Sequence, residues 1–164
     1  MTIGNLSEQD EKGSKTIMVM NVVEFVLGKR IEGEEDPYKA YSDTVYLDED
    51  DKAISMNITG VVKCSEEIKE NYKMVVVVEG NGQYNCVFTG DIVSEGSENE
   101  LGFNKSFNLD CKGMKFNLKD ACEEYYANVF VVKSDAKEYK GNLEEYVKNE
   151  VEAYNKYKFR VMRE

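Results

Sequence analysis

The 164-residue chain carries 32 acidic and 21 basic side chains, a net charge of −11, with 41% hydrophobic and 11% aromatic residues and no histidine. Such a length suits one domain whose core needs neither metal nor disulfide, and the composition is that of a globular chain. The charge argues against non-specific binding to nucleic acid or an anionic membrane, which need cationic patches. The missing imidazole removes Ser-His-Asp and Cys-His catalysis and histidine-bearing metal sites.

Residues 1–14 have no apolar period and predict a flexible or edge-lying arm, with a single domain over 15–164. From Thr16 the chain turns valine-rich. Ile17, Val19, Val23, Phe25 and Leu27 fall on one face and Met18, Met20, Val22 and Val26 on the other, so a central strand covered on both sides is expected. This run is too short and too polar (Asn21, Glu24) to span a bilayer, and no small-residue cleavage site follows it. The absence of an export signal points to a cytoplasmic, reducing compartment, in which the thiols of Cys64, Cys86, Cys111 and Cys122 are expected buried and unpaired. No C-x-x-C occurs and no metal or cofactor is expected.

Thr44–Leu47 and Ala53–Cys64 flank the run Asp48-Glu49-Asp50-Asp51-Lys52, which reads as an acidic hairpin tip. As a calcium loop it would need glycine where Ala53 stands and glutamate where Thr59 stands. Ile54, Met56 and Ile58 alternate with Ser55, Asn57 and Thr59, a half-buried strand, and Gly60 marks a bulge or bend. Ser65-Glu66-Glu67 predicts a short helical turn through Tyr72. Met74–Glu79 and Gln83–Val93 form a hairpin across Asn81-Gly82, with Val77 opposite Cys86 and Val75 opposite Phe88.

After a polar loop at Ser94–Gly102, a second hairpin is expected around Lys112-Gly113, pairing Cys111 with Met114, Leu109 with Phe116 and Phe107 with Leu118. Asp120 and Glu123 predict a capped helix through Tyr126, followed by a strand at Ala127–Lys133. Asn142 and Glu145 cap a longer helix over about 142–157, with Leu143, Tyr146, Val147, Val151 and Tyr154 as its apolar stripe. The tail Phe159–Arg163 alternates and is expected to add an edge strand. The fold class is therefore α+β, mainly antiparallel β: a barrel or two-layer sandwich of about seven or eight strands, with a C-terminal amphipathic helix packed on it as a lid.

No stretch carries a motif that identifies a family or a catalytic centre. The charge is uneven: residues 1–100 carry 21 acidic and 9 basic side chains, whereas residues 101–164 carry 11 and 12. The expected function is a non-enzymatic acidic binding protein that meets a protein partner with a basic surface. The contacts would be Glu34, Glu35, Asp36, Asp48, Glu49, Asp50 and Asp51. The excess of lysine over arginine, 18 to 3, points to an AT-rich genome and makes a phage- or mobile-element-encoded inhibitor one version of this reading. The alternatives are an assembly subunit such as a virion or tail component, self-associating through edge strands and the N-terminal arm, and an enzyme built on paired carboxylates.

Overall fold

The computed structural model describes residues 2–3, 17–30, 38–41, 43–48, 51–93, 98–111 and 122–163. The described strands are β1 (Thr2–Ile3), β2 (Met18–Arg30), β3 (Tyr38–Tyr41), β4 (Thr44–Leu47), β5 (Ala53–Cys64), β6 (Tyr72–Gly80), β7 (Gln83–Ile92), β8 (Glu100–Asp110), β9 (Cys122–Lys133) and β10 (Val151–Arg163). Helix α1 (Leu143–Asn149) precedes β10. Sheet one runs β1-β10-β9-β6-β7, with β4 also pairing β10, and sheet two runs β3-β2-β5-β8. Every pairing is antiparallel except β4 on β10. Among the described residues, no helix is long and apolar enough to cross a membrane.

The two sheets share one core, so the α+β expectation holds in its sandwich form. Met18, Met20, Leu27, Ile54, Met56 and Ile58 of sheet two meet Met74, Val76, Ala127, Val129, Phe159 and Val161 of sheet one. Phe25 stacks on Tyr157 at 5.3 Å and Phe88 on Phe107 at 4.8 Å between ring centroids, joining the sheets along two sides. The buried Asn155 donates from Nδ2 to the carbonyl of Met20 at 2.8 Å, so its amide is satisfied across the core.

On the far face of sheet one, Val75, Val77, Phe130, Val132 and Val151 are covered by Tyr146 of α1, with Leu143 and Val147 packed alongside. The helix is thus a lid, and its cap is the expected one: Asn142 Oδ1 accepts from the Glu145 amide at 3.0 Å. Its length is not the expected one. The helix ends at Asn149, and the predicted continuation to 157 is strand β10. Val151 and Tyr154 satisfy a helical stripe, yet Ala153, Asn155, Phe159 and Val161 are buried at the two-residue period of a strand, and a bulge between Val151 and Ala153 turns Val151 to the helix-covered face. Pairing with β9 on one side and with β1 and β4 on the other places this segment inside the sheet, so Phe159–Arg163 is not an edge strand.

Other differences have similarly local causes. β2 lies between β3 and β5, but it is not buried on both faces: Val19 is 40% exposed, and Ile17 just before it 41%. A bulge between Val22 and Glu24 switches the inward side from Met18 and Met20 to Phe25 and Leu27, breaking the strict alternation. Gly60 faces this bulge: a Cβ there would stand 2.4 Å from the Asn21 carbonyl oxygen and 2.6 Å from the Phe103 ring. The Asn81-Gly82 turn has φ of 52° and 71°, as a type I′ hairpin requires. Val77 faces Cys86 as expected, but a bulge after Val76 places Phe88 opposite Val76 rather than Val75.

Residues 65–71 form no helix. Ser65 instead holds Ile17, its Oγ accepting from the Ile17 amide at 2.7 Å. Strand β8 begins within the expected polar loop, at Glu100. Glu123 lies in β9 rather than in a helix, buried and accepting from Tyr125 Oη and from Asn81 Nδ2. Burial and the Glu123 hydrogen bond hold the Tyr125 phenol far above its usual range. The Lys112-Gly113 hairpin, Asp120 and most of the N-terminal arm lie outside the described residues; Thr2 and Ile3 pair with Asn155 and Tyr154 of β10.

Candidate functional site

The acidic run after β4 is not a hairpin tip, because β4 and β5 belong to different sheets. Its charges are partly used internally. The Asp48 amide donates to Asp51 Oδ2 at 2.9 Å and the Asp51 amide donates back to Asp48 Oδ1 at 3.1 Å. Lys29 Nζ reaches Asp51 Oδ2 at 3.0 Å, with side chains 6% and 16% exposed. Asp51 is therefore a structural partner of a buried lysine, whereas Asp48 is exposed. The other expected contacts, Glu34, Glu35, Asp36, Glu49 and Asp50, lie outside the described residues.

A different acidic surface lies at the end of the sandwich where β6 begins and β7 ends. A concavity of about 610 Å³ is lined by Ile68, Tyr72, Ile92, Val93 and Leu101, with Lys69, Glu70, Asn71, Asp91 and Ser134. Four separate segments build it. The loop 65–71 is tied down by the Ile68 amide donating to the Glu98 carbonyl at 2.7 Å, and the Ser134 amide donates to the Asn71 carbonyl at 2.9 Å. Ile92 and Leu101 belong to the core and floor the hollow, whereas Val93 is 67% exposed at its lip. Glu66, Glu67 and Glu98 are exposed on the adjoining loops.

Three groups in this region are shifted by burial and by neighbouring carboxylates. The Tyr72 phenol is pushed up to about 12 by burial, then by the charges of Glu70, Glu152 and the Cys64 thiol and a hydrogen bond to Glu70. Lys133 is raised by its hydrogen bond to Glu70, 3.3 Å away, and further by Glu70, Glu152 and Asp135. Glu152, at the bulge that opens β10, is raised by burial and by Glu70 and Glu150 against the pull of Lys133. A carboxyl raised in the folded state contributes stability below its unfolded pKa and loses it as pH rises through the folded value. Glu152→Gln is therefore expected to raise Tm at neutral pH and to leave it unchanged below about pH 3. Calorimetric scans at both pH values check this, and identical melting at neutral pH would contradict it.

Cys64, Cys86 and Cys111 are free thiols. Cys64 is buried and its thiol raised by desolvation; Cys111 is half-buried and raised to about 11 by burial, then by Asp51 and Asp110. Such thiols are poor nucleophiles. Cys86, expected to be buried, is exposed: Val77 opposite it points to the helix-covered face, but β7 is an outer strand of sheet one among the described residues. On the outer face of sheet two, Asn57 Nδ2 donates to Asn104 Oδ1 at 2.8 Å and to Ser106 Oγ at 2.7 Å, an uncharged ladder satisfied within itself.

No protein-family model matches this chain, and no curated protein matches it in sequence.

Proposed function

We propose that the protein is a non-enzymatic binding protein that engages a protein partner with a basic surface, and that the concavity between loop 65–71 and the end of β7 is where it does so. The observation that carries this reading is the pairing of an apolar floor (Ile68, Ile92, Leu101) and exposed Val93 with a rim that carries the carboxylates of Glu70 and Asp91 beside Lys69. Apolar anchoring supplies affinity while complementary charge supplies orientation and association rate. The occupant it fits is a segment carrying an apolar side chain flanked by arginine or lysine. The acidic chain as a whole, at −11, draws such a segment in.

Fluorescence anisotropy with two labelled peptides tests it, one alternating arginine with leucine and one alternating glutamate with leucine. The basic peptide is expected to bind, and to bind more weakly as salt rises. Val93→Asp and Glu70→Lys are each expected to weaken it at least about tenfold, or about 1.4 kcal/mol. Both positions tolerate change, since Val93 is exposed and the Glu70–Lys133 pair is half-open to water. Glu144→Lys on the exposed side of α1 makes the same charge change at a distance and is expected to have little effect. Equal binding of the two peptides, or binding indifferent to Val93 and Glu70, sinks the proposal.

The assembly reading draws on β7, an outer strand of sheet one among the described residues. The paired part of the N-terminal arm, by contrast, serves β10 of the same chain.

A further inference from the structure

Helix α1 and the segment before it bring together the buried Tyr146 and the half-buried Tyr139, whose hydroxyl is also shut off from solvent. Tyr146 is 5% exposed, and Tyr139 packs on it edge-on at 5.5 Å between centroids. Neither hydroxyl has a hydrogen-bond partner. A single buried hydroxyl without an acceptor is uncommon, because desolvation of the group is then uncompensated. Here two such hydroxyls belong to rings in contact, and each can donate to an added acceptor oxygen.

Cys86 lies on the same helix-covered face, and Tyr139 packs against the cluster that holds Val77 and Tyr146. Cys86 faces Val77, which packs with Phe130 and Tyr146 under the helix. Both phenols are raised by burial and then by the Cys86 thiol, in keeping with that placement. Its own contacts are long and weak, 3.8 Å to the Phe88 carbonyl and 3.8 Å to Thr89 Oγ1. Cys86 is exposed, whereas Cys64 is buried and Cys111 half-buried.

We propose that Cys86 is a modification site, oxidised by hydroperoxides to a sulfenic acid whose oxygen accepts hydrogen bonds from the hydroxyls of Tyr139 and Tyr146. In the step, the Cys86 thiolate attacks the terminal oxygen of the hydroperoxide. The S–O bond forms as the O–O bond breaks, and the leaving alkoxide takes up a proton and departs as an alcohol, or as water when the oxidant is hydrogen peroxide. The sulfur gives up two electrons and the peroxide gains them. The phenols act on the product: they satisfy the new oxygen and are themselves satisfied by it, so the site sets the persistence of the oxidised state rather than the rate of reaching it.

The test uses the full chain, hydrogen peroxide, and trapping with dimedone followed by peptide mass spectrometry. Cys86 is expected to be labelled well above Cys64, Cys111 and Cys122, and Cys86→Ser to remove that label. Tyr139→Phe with Tyr146→Phe keeps both rings and is expected to shorten the lifetime of the sulfenic acid at least fivefold. Melting curves give the second readout. Oxidation is expected to raise Tm in the parent chain and in neither a Cys86→Ser chain nor the double phenylalanine variant. An unlabelled Cys86 overturns the proposal, and so does a lifetime or oxidation-induced Tm change that is the same with and without the two hydroxyls.

Discussion

Alanine at Phe159 is expected to destabilise the protein by about 3–5 kcal/mol, read as a shift of the urea midpoint at constant slope. Phe159 is fully buried, stacks on Tyr125 at 5.6 Å and tilts against Phe25 at 6.4 Å, so its removal opens a hole between the two sheets. The size of the effect distinguishes two placements of the C-terminal segment. As a trailing edge strand beyond a long helix, Phe159 would lose only part of its cover, and a change below about 1 kcal/mol would follow. Inside sheet one, between β9 and β4, it loses a full side chain of core packing. A small effect would contradict the sandwich at its centre.

Asp51→Ala is expected to cost about 3 kcal/mol, toward the lower end for a buried ion pair because the Asp51 side chain keeps 16% exposure. The loss has two parts: Lys29, 6% exposed at its side chain, is left without this carboxylate, and the Asp48 amide loses its acceptor. Lys29→Met combined with Asp51→Ala is expected to recover much of the stability, since an apolar replacement removes the charge that needs a partner. The pair of measurements separates structure from recognition. Were Asp51 a partner contact, Asp51→Ala would weaken binding of the basic peptide and leave the unfolding midpoint in place.

Elements set by local chemistry were legible in the sequence. Ile54, Met56 and Ile58 are buried as their alternation implies, Asn81-Gly82 turns as its backbone preference implies, and Asn142 caps a helix. Features decided by distant partners were not. Val151 and Tyr154 fit two periods at once, and pairing with β9 selects the strand. Glu123 looks like the third residue of a capping pair, but it is held by Tyr125 beside it and by Asn81 across the sheet. The bulges after Val22 and Val76 leave no mark in the hydrophobic pattern beyond Gly60, whose missing Cβ admits the Asn21 carbonyl.

The site shows the same division. A run such as Asp48–Asp51 is conspicuous in sequence, yet Asp51 faces Lys29. The concavity is assembled from residues near 68–72, 91–93, 101 and 134, each ordinary in its own surroundings, and its signal exists only once β6, β7, β8 and β9 are brought together. Cys86 reads as a packing thiol because its opposite neighbour, Val77, is apolar; its exposure follows from the outer position of β7.

The proposed role is tested most directly by titrating the ¹⁵N-labelled chain with the arginine–leucine peptide and following backbone amide shifts. Recognition at the end of the sandwich predicts saturable shifts concentrated at Ile68–Tyr72, Asp91–Val93, Leu101 and Ser134, which fade as salt is added. An unperturbed spectrum, or shifts gathered elsewhere on the surface, would contradict it.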